Sequence, residues 1–64
     1  MRINKTQLLK LLNMKHKSIY DLIFSGISQN TIIAITMNNI IEFSDILKIS
    51  FYLNVNYTDL ASFL

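Results

Sequence analysis

The sequence predicts an all-α fold, a compact bundle of about five short helices that forms one domain over residues 1–64. The chain contains no proline and a single glycine, so few residues break a helix. Hydrophobic residues make up 52% of the chain, and many recur at the three- and four-residue spacing of an amphipathic helix. Because there is no cysteine, stability must come from apolar packing rather than from disulfides or a thiolate metal site.

The first helix is predicted from apolar spacing, and the second is delimited by capping residues. The first is predicted to begin near residues 4–6 and to end at about Met14. Ser18 is a good N-cap for the second helix, and Asp21, three residues later, resembles a capping box. This helix is predicted to end at Gly26, whose missing Cβ permits the left-handed backbone of a tight helix exit. Its inward-facing residues are predicted to be Ile19, Leu22 and Ile23, with Tyr20 and Phe24 partly buried.

A third helix is predicted directly after the glycine turn. Ser28 is its N-cap, Ile32 and Ile35 face inward, and the pair Asn38-Asn39 ends it, because Asn tolerates left-handed backbone. A short helix, a turn that pivots on glycine and a second short helix together have the shape of a helix-turn-helix unit. The second helix of such a unit enters a groove of DNA.

The last third of the chain predicts two more helices. The fourth extends from residue 42 or 44 to Leu53, with apolar residues at helical spacing. Between the third and fourth helices, Ile40 and Ile41 are adjacent β-branched residues, so a short extended piece is an alternative there. The predicted fifth helix begins at Asn56 or Thr58 and holds Leu60, Phe63 and Leu64.

Charge is distributed unevenly along the chain. The net charge is +2, yet residues 1–20 hold five of the six basic residues and none of the four acidic ones. The basic residues of this segment are Arg2, Lys5, Lys10, Lys15 and Lys17. A basic segment on a small domain is typical of a protein with a polyanionic partner. A solvated helix face is the alternative explanation.

Four sequence features together resemble the Xre/Cro family, the helix-turn-helix domains of phage lambda-type repressors, over roughly residues 8–63. They are the turn Gly26-Ile-Ser28, the helix residues Thr31-Ile32 and Ile35, the apolar run from Phe43 to Leu53, and the closing segment from Leu53 to Leu60. The family has a Gly-Val/Ile-Ser turn, an anchored recognition helix, a fourth helix, and a closing Leu-Gly-Val-x-x-x-x-Leu motif. The resemblance implies that the helix over residues 28–37 lies in the major groove of double-stranded DNA.

Two departures from the family pattern affect this implication. The family places Leu-Ala in its second helix, with the leucine five residues before the glycine, whereas Asp21 stands five before and Leu22 four before. Either the turn lacks one residue or Leu22 occupies a position usually given to a small residue. After the third helix the family has Glu-Asn-Gly-Lys, but residues 36–39 read Thr-Met-Asn-Asn. The glutamate and lysine of the loop that meets DNA phosphate are therefore missing.

The resemblance also assigns roles to individual residues. Base readout is expected from the first turn and outward face of the third helix, namely Ser28, Gln29, Asn30, Thr31, Ile33 and Ala34. Gln and Asn suit adenine, and apolar side chains suit the thymine methyl group. The alternatives are a solvated first turn for the amides, and packing within the fold or a dimer for Ile33.

Phosphate contacts are expected from two polar segments. They comprise Lys15, His16, Lys17 and Ser18 before the second helix, and Asn38 and Asn39 after the third. A solvated loop and ordinary turn chemistry explain the same residues. The resemblance also implies a homodimer, expected through an apolar C-terminal face formed by Tyr57, Leu60, Phe63 and Leu64. The alternative is that Leu60 and Phe63 complete the core.

The sequence therefore predicts a small repressor of phage, plasmid or low-GC bacterial origin that binds an operator as a dimer. We expect a cytoplasmic, nucleoid-associated protein with no cofactor, metal, membrane or small-molecule partner. No apolar run approaches the ~20 residues of a membrane span. An enzyme is not expected, because the chain has one histidine and no recognisable catalytic constellation. The alternative is a protein-interaction module of the same fold, an antirepressor or repressor partner with little or no DNA binding.

Overall fold

The structure is a computed structural model that describes residues 1–62. Its helices are α1 (Lys5–Met14), the 3₁₀ helix η1 (Ile19–Ser25), α2 (Gln29–Thr36), α3 (Phe43–Leu53) and the 3₁₀ helix η2 (Tyr57–Asp59). The chain is therefore mostly helical, as predicted. The predicted count of about five helices is slightly off, because η2 is a single three-residue turn.

Two short strands, absent from the prediction, join the ends of the described chain. Strand β1 (Arg2–Ile3) pairs in antiparallel fashion with β2 (Ala61–Ser62). Beside this pair the Asn4 N–H donates to the Leu60 carbonyl over 2.6 Å. The predicted fifth helix therefore forms only as η2, which begins after Asn56, and its predicted extension through Leu60 is wrong because the following strand β2 is extended and pairs with the N-terminus. Phe63 and Leu64 lie outside the described residues.

A single apolar core joins β1, α1, η1, α2 and α3, and Leu60 enters it directly after η2. Its largest fully buried side chains are Leu8, Leu12, Leu22, Ile35, Ile46, Ile49, Leu53 and Leu60. The inward positions predicted for the third helix, Ile32 and Ile35, are confirmed. The core therefore holds α2 from its inner face and leaves its outer face in solvent.

Helix η1 differs from the prediction in its winding. A 3₁₀ helix has three residues per turn, so side chains at i and i+3 lie on the same face. Ile19 and Leu22 accordingly share the face that packs on the core, whereas Tyr20 and Ile23 share a neighbouring face and are both exposed. The prediction that Ile23 faces inward is wrong for this reason. Phe24, predicted to be partly buried, is also exposed.

Left-handed residues end the helices. Gly26 has φ +98° after η1, and Asn38 has φ +58° after α2, so both predicted helix exits are confirmed. His16 and Asn54 adopt the same backbone conformation after α1 and α3. No strand forms at residues 40–41, although the Ile41 backbone exchanges hydrogen bonds of 2.8 and 3.2 Å with Met1.

Within residues 1–62, no helix has both the length and the apolar character needed to cross a membrane.

Candidate nucleic-acid interface

The first turn of α2 contains four of the predicted readout residues. Ser28 is the N-cap, and its Oγ accepts a hydrogen bond of 3.1 Å from the Thr31 N–H. The Thr31 hydroxyl lies 3.1 Å from that same Oγ and donates to Asp45 Oδ2 over 3.5 Å. The hydroxyl groups of Ser28 and Thr31 are therefore engaged within the fold. Gln29 and Asn30 are exposed, so their amides are the polar groups that this turn offers to a ligand.

The second turn of α2 is apolar and divides between core and solvent. Ile33 is 47% exposed and lies four residues after Gln29, so the two side chains share one face of the helix. Ala34 is only half-exposed and packs against the core. Of the two residues predicted to touch thymine methyl groups, Ile33 thus offers the larger accessible surface.

A groove lies between η1 and α2. It has a volume of about 250 Å³ and is lined by Tyr20, Ile23, Gln29, Ile32 and Ile33. We refer to it as the apolar groove. Tyr20 and Ile23 were missed as candidate site residues, because an α-helical period places them partly or fully inward. A three-residue period applied to residues 19–25 would have placed both of them outside.

The opposite side of α2 has a different character. A depression of about 330 Å³, which we call the acidic groove, is lined by Asn30, Thr31, Ala34, Ile40, Ile41, Glu42 and Asp45. Glu42 precedes α3 and Asp45 lies in its first turn, where negative charge favours the helix dipole. Both carboxylates also repel phosphate groups. Helix α2 is thus flanked by apolar surface on one side and by acidic surface on the other.

The predicted phosphate cluster before η1 is only partly available. Lys15 and His16 are exposed, and the left-handed backbone of His16 ends α1. The Lys17 ammonium lies 5.1 Å from the centroid of the Tyr52 ring, within the range of a cation–π interaction. The Ser18 N–H donates to Asp21 Oδ2 over 2.8 Å. Because that carboxylate already occupies the start of η1, an incoming phosphate would compete with it.

The predicted phosphate contacts after α2 have a clear structural role. The Asn38 N–H donates to the Ile35 carbonyl over 3.0 Å, and the Asn39 N–H donates to the Ala34 carbonyl over 2.8 Å. These two bonds with a left-handed Asn38 form a Schellman motif. The backbone N–H groups of both asparagines are therefore used by the helix end, and their exposed side-chain amides remain.

Two lysines lie beside the segment formed by the glycine turn and α2, one near each end. Lys5 Nζ donates to the Thr36 carbonyl over 2.9 Å, so this lysine caps the end of α2. A Cβ atom built on Gly26 would lie 3.8 Å from Lys48 Cδ, which places the exposed Lys48 beside the glycine turn. Sequence reasoning missed Lys48, because it lies in a different helix and meets the turn only in the folded chain.

Of the residues predicted to form a dimer, the two that the structure describes, Tyr57 and Leu60, differ in exposure. Leu60 is fully buried in the single chain, so it completes the core and its assignment to the dimer surface is wrong. Tyr57 is partly exposed, and its ring packs edge-on against Phe43 with centroids 5.2 Å apart. Phe63 and Leu64 lie outside the described residues. Phe51, 84% exposed on α3, is a large apolar side chain near Tyr57 that the prediction did not include.

Comparison of the chain with protein-family models, with curated proteins and with solved structures gives no match.

Proposed function

We propose that the protein is a sequence-specific DNA-binding regulator that places α2 in the major groove. The observation that carries this proposal is the pair of exposed amides, Gln29 and Asn30, in the first turn of α2. Each offers a donor and an acceptor, the combination that suits the N6 and N7 atoms of adenine. As in a helix-turn-helix protein, the ligand-facing residues would lie at the start of the helix that follows the turn.

The anchoring of α2 supports the same proposal. Ile32 and Ile35 are buried on its inner face, and its two ends are held by the Ser28 cap and by the bonds of Asn38 and Asn39. A recognition helix must hold its side chains in a fixed register against the base edges. The buried isoleucines and the bonds at both ends hold α2 in place, so its exposed side chains project from a rigid helix.

Affinity for DNA requires cations, and these lie outside α2. Residues 28–39 include no lysine or arginine, whereas phosphate contacts dominate the affinity of most DNA-binding proteins. Lys15 and Lys17 before η1 are the proposed source, assisted by hydrogen bonds from the His16 ring and from the side-chain amides of Asn38 and Asn39. A homodimer on a palindromic operator would double these few contacts, so we include dimerisation in the proposal.

The proposal is tested by selecting bound sequences from a random double-stranded DNA pool at two salt concentrations. Enrichment of a palindromic site, with affinity that falls as salt rises, is the expected result. Measuring the molar mass of the complex on the enriched site then tests dimerisation. Negligible binding even at low salt would contradict a DNA-binding function.

A second candidate function is favoured by the exposed apolar side chains of η1. Tyr20 is 72% exposed and Phe24 is 75% exposed, and Tyr20 lines the apolar groove together with Ile33 of α2. Apolar surface with aromatic residues and without cations is typical of a protein-interaction site. Under this hypothesis the chain pairs with a repressor or another protein. Failure of the DNA selection, together with loss of partner binding in a Tyr20→Ala variant, would favour it.

A further inference from the structure

The apolar groove adjoins one of the two amides proposed to read bases. Gln29 and Ile33 line it from α2, and Tyr20 and Ile23 line it from η1. An adenine contacted by Gln29 would therefore bring its neighbouring base pairs to the mouth of the groove. The groove has a volume of about 250 Å³, which is ample for methyl groups. Its mostly apolar lining disfavours a charged ligand.

The chemistry of α2 points to a particular kind of base pair. Guanine is read most often by arginine or lysine, and residues 28–39 include neither. Adenine is read by glutamine and asparagine, and the thymine methyl group is read by apolar contact. Only the A·T pair presents both an adenine edge and a methyl group in the major groove.

The charges around α2 favour one direction of approach. Glu42 and Asp45 line the acidic groove on the other side of the helix, where they repel phosphates. A DNA duplex would therefore avoid the acidic groove and bring its base edges against the side lined by Ile33 and Ile23.

We propose that the apolar groove receives the C5-methyl groups of thymines beside an adenine bound by Gln29, which makes the protein a reader of A·T-rich sites. This inference rests on the proposed DNA-binding function and assigns a specificity role to Tyr20 and Ile23. Those two residues belong to η1, so η1 contributes to base readout as well as to the support of α2.

The test uses the site enriched from the random pool, with thymines replaced one at a time by deoxyuridine. Uracil pairs as thymine does and lacks only the methyl group. We expect affinity to fall roughly fourfold at each thymine seated in the groove, the equivalent of one buried methylene group. In Ile33→Ala and Ile23→Ala variants the difference between thymine and uracil at those positions should disappear.

Phe51→Ala is the matched control. Phe51 is exposed and apolar but lies on α3 outside the apolar groove, so this variant should keep the full effect of uracil. Circular dichroism verifies that each variant remains folded.

The outcomes separate the two proposals. A site rich in G·C pairs, or equal affinity for thymine and uracil throughout the site, would overturn the groove assignment and leave the DNA-binding function intact. A uracil effect that persists in both isoleucine variants would show that the methyl groups are read elsewhere, which also overturns it. Absence of any DNA binding would overturn both proposals and leave the groove for a protein partner.

Discussion

The two grooves beside α2 differ in character, although residues of this one short helix line both of them. On one side Tyr20, Ile23 and Ile33 surround an apolar groove, and on the other Glu42 and Asp45 border an acidic one. The apolar side is built with η1, whereas the acidic side is built with the start of α3. The character of each side therefore comes from the neighbouring element, so α2 cannot be understood as a recognition helix in isolation.

The two sides of α2 impose different requirements on a partner, whether that partner is DNA or another protein. Glu42 and Asp45 disfavour phosphate on the acidic side of α2, and the five described residues that line the apolar groove include no cation. Each groove is bordered by one exposed amide from the first turn of α2. Gln29 borders the apolar groove and Asn30 borders the acidic groove. Variants that change the apolar groove and the acidic groove separately are therefore the most informative.

The largest expected effect is a loss of unfolding free energy when the packing beneath α2, which supports both grooves, is removed. Ile35 is fully buried beneath α2, so an Ile35→Ala variant should lose about 2–5 kcal/mol of unfolding free energy. Urea denaturation measures this loss. The exposed Ile33→Ala variant is the control and should change stability by about 0.5 kcal/mol or less. Equal losses in the two variants would contradict the described orientation of α2.

Base readout by the first turn predicts the next effect. Gln29→Ala and Asn30→Ala variants should each weaken binding to the selected site by about 1–3 kcal/mol if a bidentate contact is lost. Binding to random DNA should change little, because phosphate contacts are retained. Titration of both DNA types by fluorescence anisotropy measures the difference. If only Gln29→Ala has an effect, readout is confined to the side of the apolar groove.

The angle between η1 and α2 depends on the glycine turn that joins these two helices. Gly26 has φ +98°, and Lys48 Cδ at 3.8 Å is an ordinary contact for an added Cβ. The cost of Gly26→Ala is therefore conformational, and we expect about 1–2 kcal/mol of destabilisation. Asn38→Gly, at the other end of α2, is the control and should be neutral or slightly stabilising. Thermal unfolding of both variants compares the two ends, and an unchanged midpoint for Gly26→Ala would show that the turn relaxes.

The smallest expected effect concerns the acidic groove. A Glu42→Gln variant removes one exposed negative charge beside α2. Affinity for random DNA at low salt should rise by less than about fivefold, because exposed charges contribute about 1 kcal/mol or less. The gain should vanish at high salt, where screening is strong. A decrease in affinity would indicate that the acidic side contacts a base or a partner instead of repelling phosphate.

Most of the helical framework could be predicted from local signals. Ser18 and Ser28 marked two helix starts, and Gly26 and Asn38 marked two helix ends. These residues act through their own backbone or through neighbours three residues away, so their effect can be predicted from a short stretch of sequence. The burial of Ile32 and Ile35 likewise followed from their spacing.

The exposed surface beside α2 could not be predicted in the same way. The spacing of Ile19 and Leu22 fits an α-helix and a 3₁₀ helix equally well, yet the two windings place Ile23 on different faces. Lys48 reaches the glycine turn only after α3 packs against η1. The two candidate sites thus depend on helix winding and on contacts between distant segments.

The sequence by itself determined the mostly helical fold, the caps of η1 and α2, and the amides at the start of α2. The tertiary structure alone decided that Leu60 is buried, because the two-residue strand that follows it pairs with a strand near the N-terminus. It also decided which side of α2 is apolar and which is acidic. The physical reason is that caps and turns are local interactions, whereas burial and the charge around a groove are set by residues far apart in the chain.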